Sequence, residues 1–94
     1  MRPLNSAAPG ALAELLRGVP LSPGKVAFAW RAAVGAAMER VTSIRLDGRV
    51  LVVDVSDPHW AREVTRMSDL ILNRLHVLLG RGTVDRLDVR AAKQ

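Results

Sequence analysis

Apolar and polar positions alternate with different periods along the chain, and each change of period marks an element. Leu12, Leu15, Leu16 and Val19 recur at i, i+3, i+4 and i+7, which predicts a short helix over residues 11–17. Gly18 and Pro20 end it. Ser22 followed by Pro23 supplies an N-cap and a first helical proline, opening a second helix expected to run to Arg40. Val26, Trp30, Ala33, Val34, Ala37, Met38 and Val41 share one arc of that helix and are expected to be buried. Phe28 falls on the far side and is expected to pack under the first helix. Gly35 sits mid-helix, where glycine costs about 0.8–1 kcal/mol relative to alanine, so a neighbour is expected to approach closely there.

The period then drops to two. Ile44-Arg45-Leu46 and residues 49–55 flank Asp47-Gly48, a hairpin signal because such turns need positive φ. A two-residue Asp-Gly loop sets Leu46 opposite Arg49 and Ile44 opposite Leu51. Ile44, Leu51, Val53 and Val55 then share the buried face, with Arg45, Val50 and Val52 on the other. Asp57-Pro58 repeats the cap-plus-proline start and opens the longest helix, ending at Gly80. Trp60, Val64, Met67, Ile71, Leu75 and Leu78 form its buried stripe, Trp60 against the hairpin, and Arg62, Arg66, Asp69 and Asn73 lie opposite. Leu70, Arg74 and Val77 fit neither side, which predicts a kink between Asn73 and Leu79. After the Gly80-Arg81-Gly82 turn, residues 83–90 alternate as a last strand, Leu87 and Val89 inward, Arg86, Asp88 and Arg90 outward.

A strand reached through a helix joins its sheet in parallel. The expected fold is therefore α+β, in the order αα-ββ-α-β, with a three-stranded mixed sheet and helices packed on one face. Residues 1–10 read as a flexible tail, 11–90 as one domain and 91–94 as a C-terminal end. At 94 residues the chain suits a single core and leaves little material for an enclosed catalytic cavity.

Composition narrows the chemistry. Apolar residues make up 49% of the chain, too many for disorder. The absence of cysteine excludes disulfides, thiolate metal sites and a cysteine nucleophile. Its apolar runs, 32–38 and 50–53, are too short to span a bilayer, and the N-terminus lacks a signal-peptide core, so a cytoplasmic location is expected. His59 and His76 stand seventeen positions apart with no metal-ligand spacing, Asp47 and Asp57 are better used as turn and cap residues, and no phosphate-cradling glycine loop is present. No enzyme activity, cofactor, metal or small-molecule substrate is expected.

The arginines are the remaining signal. Fourteen basic residues against nine acidic ones leave a net charge of +5, which favours an acidic partner, nucleic acid foremost. Arg62 and Arg66 lie one helical turn apart on a line leading towards Arg81, with Arg45, Arg49, Arg86 and Arg90 as a second-rank set from strand faces and ends. Spaced arginines neutralise phosphates without reading sequence. The plainer reading is a solvated surface with Arg62–Glu63 and Arg66–Asp69 in weak pairings. Val50 and Val52, with Leu70 or Val77, are aliphatic positions on outward faces and therefore candidates for a protein-partner contact.

Element order and basic charge suggest a KH-like shape, although the Gly-x-x-Gly loop by which KH modules grip nucleotides is missing. Trp30 followed by Val34-Gly35, the Asp47-Gly48 hairpin, the run from Asp57-Pro58-His59-Trp60 to Val64, Leu72-Asn73 to Leu79-Gly80, and Val84 to Val89 together resemble the DciA family. That resemblance covers roughly residues 12–90. It implies a KH-like domain that binds the replicative DNA helicase, assists its loading and touches DNA, with Trp30 and Trp60 at the family's two tryptophan positions. The departures are Val64 in place of the usual leucine, and Arg40-Val41-Thr42 in place of a more usual His-Thr segment. The resemblance implies a helicase adaptor with weak, sequence-independent binding of single- or double-stranded DNA. The alternatives from other classes are an independent single-stranded RNA- or DNA-binding protein and a dimerising interaction module.

Overall fold

A computed structural model describes residues 14–16 and 18–91. The expected tail, most of the first helix and residues 92–94 lie outside them. Residues 14–16 are helical and bury Leu16. Leu15 and Val19, which share its helical spacing, are exposed.

The core helices begin where the sequence signals said. The Ser22 hydroxyl accepts the Lys25 N–H at 3.1 Å, and α1 spans Pro23–Val34. It does not continue to Arg40. Gly35 takes φ 88°, ψ 167°, a region essentially closed to other residues, and α2 restarts over Ala36–Arg40. A Cβ at Gly35 would meet nothing within 4 Å, so the glycine serves a backbone break and not a close approach. Because the break resets the phase after Gly35, Ala37 is exposed against the continuous-helix expectation; Ala29, outside the expected arc, is buried.

The sheet is built from β1 (Thr42–Asp47), β2 (Val50–Val55) and β3 (Arg86–Ala91) in the order β1-β2-β3. β1 and β2 are antiparallel, β2 and β3 parallel. The hairpin is there, but its register differs from the expected one: Leu46 faces Leu51 and Ile44 faces Val53. Its loop is therefore Gly48-Arg49, with Gly48 alone at positive φ (61°) and Asp47 still paired with Val50. A slip of two positions preserves which side chains share a face, so the buried face is the expected one. Leu51, Val53 and Val55 point into the core under the helices.

The segment expected as one long helix is two. Asp57 caps α3 (Pro58–Arg66) by accepting the His59 N–H at 2.7 Å, and α4 runs over Ser68–Leu79. The break falls at Met67 (φ −97°, ψ 9°), earlier than the kink expected after Asn73. Thr65 Oγ1 donates to the Ala61 carbonyl at 2.9 Å, a back-bond that bends helices just before the break. β3 starts at Arg86, not at Thr83, because the preceding segment is pinned: the Val84 carbonyl bonds His76 Nε2 at 2.9 Å and the Asp85 N–H donates to the Arg49 carbonyl at 2.6 Å.

The largest core side chain is Trp30, 2% exposed. Its Nε1 donates to Thr42 Oγ1 at 2.9 Å, and that hydroxyl lies 3.0 Å from the Met38 carbonyl. Trp60, expected to be the deeply buried indole, is only partly buried at the edge of the core. The fold is thus α+β with a mixed three-stranded sheet and helices against it, an arrangement compatible with a KH-like shape.

Candidate nucleic-acid interface

The seven candidate arginines fall in different places. Arg62 and Arg66, one turn apart on α3, line one cavity of about 490 Å³ between α3 and β3. Its floor is made by Ala61, Thr65, Val89 and Ala91, with Pro58 at one end. β3 ends the strand order, so the cavity adjoins a sheet edge. The groove thus combines two guanidinium groups, a largely apolar floor and no aromatic lining.

Arg66 does not approach that groove free. Its Nη2 donates to Glu63 Oε1 at 2.6 Å and its Nε to Oε2 at 3.3 Å. This Glu63 pair replaces the expected Arg66–Asp69 contact. The hydrogen bond from Arg66 holds the Glu63 carboxyl below its ordinary range, helped by the charges of Arg66 and His59 and opposed by burial. The guanidinium is raised in turn by the same bond. Both groups are solvent-facing, so the pair stabilises the fold little, but it occupies one side of the Arg66 fork. Among the described residues Arg62 forms no ion pair and is the freer cation of the two.

Arg81 is not on the same line. Because the helix breaks at Met67, Arg81 follows α4 and lines a separate cavity with Lys25 and His76. Arg45, Arg86 and Arg90 stand on the outer face of the sheet, where the register sets Asp47 beside Val50 and Arg86, Arg45 beside Val52 and Asp88, and Asp54 beside Arg90. Each row holds one cation and one carboxylate. Arg90 closes on Asp88 at 2.9 Å, and Arg49 pairs with Asp85 at 3.1 Å. That face is electrically balanced and lacks the one-sign field a phosphate backbone needs.

The aliphatic candidates also separate. Val52 is 2% exposed and Val50 half-buried, so the expected outer sheet patch offers little surface. Leu70 and Val77 are exposed on α4. So is Phe28 on α1, which does not pack away as expected. The α3–β3 groove was not legible in the sequence, because it depends on the strand order that puts β3 at the sheet edge beside α3.

Among the described residues no group of three or more histidine, cysteine or carboxylate side chains is placed to hold a metal ion, and no helix is long and apolar enough to cross a membrane. A family model described as "Dna[CI] antecedent, DciA" matches residues 3–89. No curated protein and no solved structure matches the chain.

Proposed function

The chain belongs to the DciA family, whose membership supports a helicase-loader-type role in DNA replication, and from that premise we propose that it is a non-enzymatic adaptor for the replicative DNA helicase. In this reading it holds a nucleic-acid backbone weakly in the groove between α3 and β3, while another face engages the helicase. The observation that carries the groove assignment is the convergence of Arg62 and Arg66 over one cavity, while the sheet-face arginines are offset by carboxylates in register.

Arginine suits this task because its planar fork donates two hydrogen bonds to one phosphate. With no aromatic residue to stack bases, affinity rests on charge. Binding is then sequence-blind and salt-dependent, in the range of ~10⁻⁴ to 10⁻⁶ M at physiological salt.

The test is the double variant Arg62→Glu, Arg66→Glu, titrated against labelled single-stranded oligonucleotides of two unrelated sequences across a salt series. Losing two phosphate contacts at a slope of ~0.7 each lowers affinity more than about tenfold at 0.1 M salt, equally for both sequences. Purified replicative helicase, assayed with nuclease present, should still be retained. A double variant that binds the oligonucleotides normally but loses the helicase would reassign these arginines to the protein partner. Unchanged binding of both would reduce them to a solvated surface.

A further inference from the structure

The solvent-facing side of the seam where α1 lies along α4 belongs to neither the core nor the α3–β3 groove. The two helices run antiparallel there. Arg74 Nη1 of α4 donates to the Ala33 carbonyl near the C-terminal end of α1 at 2.8 Å. Lys25, near the other end of α1, shares a cavity of about 360 Å³ with Val77, Gly80 and Arg81. α1 turns Val26 and Ala27 towards β1, so Lys25, Ala29 and Ala33 form the flank that meets α4. At about 100° per residue, Phe28 stands on the solvent side of that flank. On α4, Leu70, Arg74 and Val77 fall at i, i+4 and i+7, a line of two turns and ~10 Å.

The seam therefore exposes three apolar side chains: Phe28 at 49%, Leu70 at 45% and Val77 at 49%. Beside them stand Lys25 and Arg81, which share a cavity with Val77, and Arg74, between Leu70 and Val77 on α4. No carboxylate shares these lines; Asp69 is turned about 100° round α4 from Leu70. We propose that this seam is a docking groove for an acidic amphipathic helix of a protein partner.

Charge complementarity selects that occupant. Carboxylates flanking the apolar stripe of such a helix meet Lys25, Arg74 and Arg81, and its anchors at i, i+3 or i+4, and i+7 match the spacing of Leu70 and Val77. A second copy of this chain is disfavoured, since a two-fold interface would set the same cations against one another on a body of net charge +5. Nucleic acid is disfavoured as well. Of the three exposed side chains only Phe28 offers a stacking face, and a polar strand would leave the aliphatic Leu70 and Val77 without apolar partners. The inference goes beyond the nucleic-acid reading and uses a different face, so either can fail alone.

The experiment titrates the isotope-labelled full chain with a synthetic eighteen-residue amphipathic helix carrying leucines on one face and glutamates beside them. A glutamine version of the same peptide and anionic phospholipid vesicles are run in parallel. The expected result is amide shift changes at Lys25, Phe28, Leu70, Val77 and Arg81, with the glutamine peptide bound at least tenfold more weakly. Val77→Asp and, separately, the milder Phe28→Ala and Leu70→Ala should weaken binding while Arg62→Glu leaves it unchanged. Shift changes confined to the α3–β3 groove would overturn the proposal. So would seam variants that bind like the parent chain, vesicle binding without peptide binding, or a concentration-dependent dimer abolished by Val77→Asp in sedimentation.

Discussion

Replacing Thr42 by valine tests how the core is held together, through a hydroxyl that no sequence pattern singles out. Thr42 Oγ1 accepts from the buried Trp30 indole at 2.9 Å and lies 3.0 Å and 3.2 Å from the Met38 and Glu39 carbonyls. Valine has nearly the same shape, so packing is preserved while the indole N–H loses its partner. An unsatisfied buried donor costs about 1–3 kcal/mol. For a chain of this size total stability is roughly 5–14 kcal/mol, and each kcal/mol lost lowers the melting temperature by about 4–8 °C. Thr42→Val should therefore lower the melting temperature by at least about 4 °C in far-ultraviolet circular dichroism. Trp30→Ala, which empties the largest buried volume, should cost about 3–5 kcal/mol. The cycle completed with Trp30→Phe and the double variant should be non-additive, because removing both partners leaves no orphaned indole donor. If Thr42→Val melts like the parent chain, or the cycle is additive within about 0.5 kcal/mol, the hydroxyl is not the partner of the indole and the account of this core is wrong.

Gly35→Ala should destabilise by about 1–3 kcal/mol in urea denaturation, because the glycine sits at φ 88°, ψ 167°; a continuous helix would give the opposite sign, a gain of about 0.8–1 kcal/mol. Glu63→Gln should release the Arg66 fork and raise single-strand affinity by about fivefold at 0.1 M salt, the value of one added phosphate contact. The Glu63 carboxyl is held below its ordinary range, so its small contribution is fully present above the ordinary carboxylate pKa and lost only as pH falls through the lowered one. The Glu63–Arg66 pair should thus persist unchanged from neutral pH down to the carboxylate range, measured by carboxyl chemical shift. Arg86→Glu with Arg90→Glu changes the net charge as much as the α3 double variant, yet should alter oligonucleotide affinity by less than about threefold, since both stand on the balanced sheet face.

Local chemistry determined much of this protein before any tertiary contact was known. Ser22-Pro23 and Asp57-Pro58 start helices because a cap oxygen and a proline satisfy needs internal to one turn. The alternation of residues 50–55 selects the buried sheet face because side-chain period two is a property of the strand itself. The run of family-matching positions was readable for the same reason, since it needs only order and spacing. What the tertiary structure decided depends on elements distant in sequence. Gly35 and Met67 break their helices so that Met38, Ile71 and Leu75 can reach one core, a demand no local propensity expresses. The hairpin slipped by two positions because Gly48 alone takes positive φ, while face parity tolerates either register. Arg62 and Arg66 became a site, and Arg45, Arg86 and Arg90 did not, because the strand order puts Val89 and Ala91 of edge strand β3 beside the first two and the registers set the others in rows with carboxylates. Charge count is a property of the chain, whereas an electrostatic surface is made only by the pairing of strands and helices far apart along it.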